Sequence, residues 1–315
     1  MTVEIDNGRR RATRPAQLWP LRAPRAARPR TDREPVVLDE STTIISTSLT
    51  VMAIVIVWFL AQLLVLGGLE QSRAQDRLYG DFRTQLASAE APTGGVITPG
   101  SPVAVMSIPS IGYQQVVLEG TSSGVLVNGP GHRRDTVLPG QAGVSILYGK
   151  SRTYGKPFAV MLDEATGRAM TVVTAQGTTT YRIGKVRRSG DPMPAAPTGT
   201  ASRITMATAE GSGSLGGLAP KDVVYVDATS VGATFTAPGG RPNTVSTIET
   251  AMASDTTVMP SLALSLGALA LVTVGALWSR QRFGLVKTWI VATPLVLSLA
   301  WFTTDLATYL LPNLL

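Results

Sequence analysis

The run Ile44–Leu69 continues for 26 residues without a charged side chain, and no other feature restricts the fold so tightly. At about 1.5 Å of rise per residue, a helix of that length exceeds the roughly 30 Å hydrocarbon layer of a bilayer. A segment crossing lipid must satisfy its own backbone hydrogen bonds, so a transmembrane helix is expected. Pro260–Trp278 and Trp289–Leu311 are two further apolar runs of spanning length. A cleaved signal peptide does not fit the first run, because about 40 residues precede it and no A-x-A site follows. Arg9–Arg10 resembles a twin-arginine start, but the apolar run begins more than thirty residues later.

The charges lie where a topology signal would put them. The chain carries +7 overall, yet only 16% of its residues are charged and 44% are hydrophobic. Nine Arg against six acids in residues 1–40, and Arg280, Arg282 and Lys287 in the loop between the last two spans, supply most of the excess. The positive-inside rule puts both regions in the cytoplasm, so three spans leave residues 70–258 and the C-terminal end outside. A basic pI suggests nucleic acid, but charge placed beside membrane spans argues against that partner. Asp305 falls in the last third of the third span, close enough to its end to reach the outer interface. The Arg/Pro-rich tail, residues 1–41, has too few large apolar residues to offset its ordering entropy and reads as disordered. Its basic side chains suit anionic headgroups.

The chain has no cysteine and one histidine. That excludes disulfides, thiolate metal sites and a Cys nucleophile together, and leaves His132 unable to build a His-rich metal site. No cofactor is expected. Asp163–Glu164 and Asp222/Asp227 read as a solvated turn and as alternating strand residues. No acidic run has the spacing of a calcium loop. Gly211–Gly217 lacks the Lys-Ser/Thr ending of a phosphate loop.

After the first span (42–69), residues 70–94 read as a helical stalk with Leu78, Phe82 and Leu86 on one stripe. From Ser101 the pattern changes to short runs rich in Val, Ile, Thr and Tyr: 103–108, 114–119, 144–149, 170–175, 178–186, 203–208 and 223–228. Ala175-Gln176-Gly177 marks a tight hairpin between two of them. Seven or eight short strands predict an all-β barrel or sandwich over residues 95–230. Residues 231–258, rich in Ser, Thr, Gly and Pro, read as a linker. The second span (259–279), a basic cytoplasmic loop (280–288) and the third span (289–311) complete the chain.

Residues Ser107–Phe158 resemble the sortases, in particular the class E type of actinobacteria. The matching elements are Ile108-Pro109-Ser110-Ile111-Gly112, Gly129-Pro130-Gly131-His132, Leu138-Pro139-Gly140-Gln141-Ala142-Gly143 and Tyr154-Gly155-x-Pro157-Phe158. The resemblance implies an eight-stranded β-barrel, displayed outside the cytoplasm, that cuts a sorting signal and joins its acyl group to a surface amine. That chemistry uses a Cys nucleophile, a His and an Arg.

All three positions differ here. Lys150 stands in the slot of the family's His, Ala209 in that of its Cys, and Lys221 best matches its Arg. A methyl group forms no thioacyl intermediate. Lys150 is an ammonium at neutral pH unless the fold buries it, and Lys221 lacks the planar fork of Arg. His132 belongs to the GPGH element, whose His is not the catalytic one, and is expected to hydrogen-bond within its loop.

The resemblance therefore implies a degenerate sortase barrel without catalytic residues, with Lys150, Thr208, Ala209 and Lys221 as the candidate groove. Its expected partners are the membrane and an extended sorting-signal-like peptide or surface protein, bound as a scaffold in cell-surface assembly. An alternative is a cysteine-independent transpeptidase or hydrolase using Thr208, Ser212 or Ser214 with Lys150 as base. A second is a purely structural subunit of a membrane complex.

Overall fold

In a computed structural model that describes residues 49, 53–211, 220 and 222–315, the first helix does not stop where the uncharged run ends at Leu69. Helix α1 runs unbroken over Ala53–Ala87, with one π turn at Gln62–Leu66. It passes through Gly80 and ends before Ala89, whose φ is +57°. The 1–41 tail, Ser212, Ser214 and Lys221 lie outside the described residues.

The expected stripe on α1 finds its partner on the barrel. Phe82 is fully buried against Ala91, Val105, Val116, Leu118 and Val125, and Leu78 and Leu86 flank the cluster. Gln75 joins the same seam: Val116 N–H donates to its Oε1 at 2.6 Å, and its Nε2 donates to the Asn128 carbonyl at 2.8 Å. The segment read as a stalk is thus docked along the barrel wall. An apolar stripe left in water would forfeit about 25 cal/mol per Å² of buried area.

Eight strands close into a barrel: β1 (Pro102–Ile108), β2 (Tyr113–Glu119), β3 (Gly131–His132), β4 (Gly143–Tyr148), β5 (Ala169–Thr174), β6 (Gly177–Arg187), β7 (Ser202–Glu210) and β8 (Asp222–Ser230). Their order around the barrel is β1-β2-β3-β4-β7-β8-β6-β5. The pairs β2–β3 and β4–β7 are parallel; the rest are antiparallel. Of the two architectures allowed by sequence, the closed barrel is the one formed. Side chains alternate between the two faces of a strand, and Met106, Ile108, Leu147, Met170, Tyr181, Ile204, Met206 and Val226 fill the interior. β3 is held by close packing. A Cβ at Gly131 would stand 2.2 Å from the Gly120 carbonyl oxygen, so only glycine allows this approach. Two short helices, α2 (Ser123–Leu126) and α3 (Ala159–Asp163), lie in the loops.

The segment expected as a linker, 231–258, connects the barrel to the second span and is itself bound to the barrel. Phe235 bridges to Gln141, with Phe235 N–H on the Gly140 carbonyl at 2.9 Å. Arg241 reaches the Gly95 and Thr136 carbonyls, each at 3.2 Å. Thr121 Oγ1 donates to the Glu249 carbonyl at 2.6 Å.

Helices α4 (Met259–Phe283) and α5 (Leu285–Thr308) form an antiparallel pair joined at Gly284, whose φ of +85° makes the turn. With α1, these helices are long and apolar enough to cross a membrane. α5 ends at Thr308, so Leu310 and Leu311, counted with the third span by hydropathy, lie beyond the helix. Trp58 ties α1 to α5, donating to Thr304 Oγ1 at 3.1 Å and meeting Trp301 edge-on at 6.3 Å. Tyr154 in the barrel donates to Thr308 Oγ1 at 3.1 Å. These contacts place the end of α5 against the same side of the barrel that α1 enters.

Candidate functional site

Strands β4 and β7 run side by side up to the pair Tyr148 and Ala207, where β4 ends, while β7 continues on β8 to Glu210. Ile204 and Met206 point into the core. Alternation then sends Ala207 and Ala209 to the outer face and Thr208 to the inner one. Thr208 is buried and its hydroxyl donates to the Gly149 carbonyl at 2.7 Å. No hydrogen bond joins it to Lys150 among the described residues. Gly149 is required by packing, since a Cβ there would lie 2.5 Å from the Phe158 ring.

The outer face at Ala209 is covered. Leu126, Tyr148, Ala207, Ala209 and Leu314 form one buried apolar cluster, with Tyr225, Ala251 and Met252 against it. Leu314 comes from the segment after the third span. Beyond α5 the chain turns down through Leu311 and Pro312 onto the barrel, and Asn313, Leu314 and Leu315 are 0%, 0% and 3% exposed.

Polar contacts hold that segment at each residue. Asn313 N–H donates to the Ala253 carbonyl at 2.9 Å. Its side-chain amide donates to the carbonyls of Thr121 and Thr250, both at 2.9 Å. The Leu314 carbonyl accepts from Ser151 N–H at 3.3 Å. The Leu315 main-chain oxygen accepts from Lys150 Nζ at 3.3 Å and from Thr153 Oγ1.

Lys150 is buried, and its amine lies 5.4 Å from the centre of the Tyr154 ring. Burial pushes its pKa down from 10.5 to about 7, because a low-dielectric environment penalises the ammonium. Lys150 and Ala209 therefore flank the same tail segment, Lys150 through Leu315 and Ala209 through Leu314.

His132 sits on β3, fully buried, and serves a structural network. Its Nδ1 lies 3.0 Å from Glu119 Oε2 and its Nε2 2.8 Å from the Val137 carbonyl. Arg241 Nη2 reaches Glu119 Oε1 at 2.5 Å from the other side. The expected loop hydrogen bond is present, and a carboxylate and a guanidinium that the sequence did not connect complete it. Asp305 takes a 3.5 Å contact from Tyr154 Oη at the junction of barrel and α5. Among the described residues, no group of His, Asp and Glu side chains is arranged to hold a metal ion.

Sequence reasoning missed Thr153, Arg241 and Asn313–Leu315. The run Leu311-Pro312-Asn313-Leu314-Leu315 reads as the end of a span by hydropathy; its Pro and Asn were the available sign that the chain leaves the helix there.

The family model described as Sortase domain matches residues 106–212. The closed eight-stranded barrel is the one typical of the sortase fold. Among solved structures, the chain is similar to a sortase D5 transpeptidase from Clostridium perfringens, with 19% identity over 51% of this chain and 99% of that one, at a TM-score of 0.41. It is also similar to sortase E from Streptomyces avermitilis, with 27% identity over 43% of this chain and 91% of that one, at a TM-score of 0.33. The SrtA sortase from Actinomyces oris is 23% identical over 44% of this chain and 85% of that one, at a TM-score of 0.37. No curated protein matches the chain.

Proposed function

We propose that this chain is a membrane-anchored scaffold built on a sortase-like barrel that performs no acyl transfer and binds an extended peptide in cell-surface protein assembly. In this reading the Arg-rich N-terminus and the 280–288 loop lie in the cytoplasm and the barrel lies outside. One observation carries the reading: the end of β7 presents the methyl group of Ala209, in a chain without cysteine, under the side chain of Leu314. Acyl transfer through a covalent intermediate needs a nucleophile with a base in hydrogen-bond reach. Here the hydroxyl beside Ala209 faces the opposite side of the strand, and the amine of Lys150 faces the tail.

A cysteine-independent enzyme draws support from the burial of Lys150, which pushes its pKa down toward the range of a general base. The orientation of Thr208 counts against its use as the nucleophile. The decisive experiment incubates the full chain, in detergent or nanodiscs, with a sorting-signal peptide and an amine acceptor. The scaffold reading predicts peptide binding with neither cleavage nor transfer above a no-protein control. Turnover that is lost in Lys150→Ala would establish the enzyme instead.

A further inference from the structure

The outer face of β4 and β7 is filled by a piece of this same chain, and that piece is held as a bound peptide would be. Asn313, Leu314 and Leu315 are each recognised by a separate part of the barrel surface. The Asn313 carboxamide pairs with two main-chain carbonyls from distant loops, Thr121 and Thr250. Leu314 fills an apolar pocket of Leu126, Tyr148, Ala207 and Ala209. The main-chain oxygen of Leu315 is taken by Lys150 and Thr153. The recognition surface therefore combines a carboxamide reader, an aliphatic pocket and a clamp on a main-chain oxygen.

We propose that this cleft is an exchangeable peptide site whose resident occupant is Pro312–Leu315, and that it accepts in its place an extended partner peptide carrying a carboxamide residue followed by two aliphatic ones. The proposal rests on the peptide-binding reading above and gives it a sequence preference. It also explains how an apolar cleft at a membrane surface stays closed. A short tether holds the resident segment at an effective concentration of about millimolar, so a free peptide competes poorly until the tail is released. A partner without the carboxamide leaves the Thr121 carbonyl unpaired, while that of Thr250 keeps Ala253 N–H.

Because the chain has no native cysteine, Ala209→Cys places a single thiol under Leu314. The test measures maleimide labelling of that thiol in the full chain in nanodiscs, with and without Leu314→Asp or Asn313→Ala, each variant first checked for cooperative unfolding. The expected result is slow labelling with the native tail and at least tenfold faster labelling in either tail variant. A synthetic Leu-Pro-Asn-Leu-Leu peptide should restore slow labelling to the tail variants, and the same peptide with Asn replaced by Leu should not. Fast labelling with the native tail, no acceleration on tail release, or no protection by the peptide each overturns the proposal. Peptide transfer by the unmodified chain would instead overturn the scaffold reading, so the two failures are distinguishable.

Discussion

The side-chain nitrogen of Lys150 lies 3.3 Å from the main-chain oxygen of Leu315, joining a barrel loop to a residue 165 positions later in the chain. The bond carries an amine into a buried site, and its cost depends on pH. Burial lowers the Lys150 pKa from 10.5 to about 7. Between those values the unfolded chain holds a proton that the folded chain has released, so folding becomes more favourable as pH rises through that window. Below pH about 7 the full penalty for burying the cation applies, with a ceiling of about 5 kcal/mol. Lys150→Met should therefore stabilise the chain at neutral pH, and its advantage should shrink toward pH about 10. Denaturant unfolding of both proteins across that range checks the sign. A pH-independent gap would show that Lys150 titrates normally.

Phe82 tests the docking of α1. It is fully buried between the helix and β1–β2, and replacing such a residue by Ala costs about 3–5 kcal/mol. Phe82→Ala should lower stability by that amount and open the 88–95 connection to limited proteolysis. An unchanged cleavage pattern would mean that the helix holds to the barrel without this contact.

Arg241 tests whether the 231–258 segment is bound. Its guanidinium meets the buried carboxylate of Glu119, itself paired with His132. Removing one partner of a buried ion pair costs about 3–5 kcal/mol because the other charge stays uncompensated. His132 remains beside Glu119, so Arg241→Ala should fall at the low end, at about 3 kcal/mol. Thermal unfolding reads the loss, and proteolysis should cut first between residues 231 and 258.

Asn313→Leu keeps the branched, four-atom side chain but removes two hydrogen bonds to carbonyls, of which only that of Thr121 loses its donor, since Ala253 N–H still reaches the Thr250 carbonyl. Leaving a buried acceptor unpaired costs about 1–3 kcal/mol. The expected outcome is a loss of that size in the unfolding free energy. Stability equal to the native chain would mean that water reaches the Thr121 carbonyl.

The strands were legible because Val, Ile and Thr runs bounded by Gly and Pro carry both composition and period. The hairpin at Ala175–Gln176 was legible for the same reason. β3 was not, since two residues have no period. The stripe of Leu78, Phe82 and Leu86 announced a buried face but not its partner, because helix periodicity says which side is apolar and nothing about what covers it. The positions of Lys150 and Ala209 were reached through ordered motifs around them. What fills the cleft was out of reach: Leu314 and Leu315 look like membrane residues, and a contact across 165 positions leaves no local pattern. Phe235 and Arg241 were hidden as single residues in a Ser/Thr/Gly/Pro stretch whose composition reads as slack chain.

The occupied cleft is the claim on which the rest depends, and hydrogen exchange of the Tyr309–Leu315 peptide in the full chain in nanodiscs tests it most directly. The Asn313 and Leu315 amides donate to the Ala253 and Pro312 carbonyls, beneath side chains closed to solvent. Slow exchange in this peptide, comparable to that of β7 and lost in Leu314→Asp, is the predicted result. Exchange as fast as in an unstructured tail would show that the segment does not reside in the cleft.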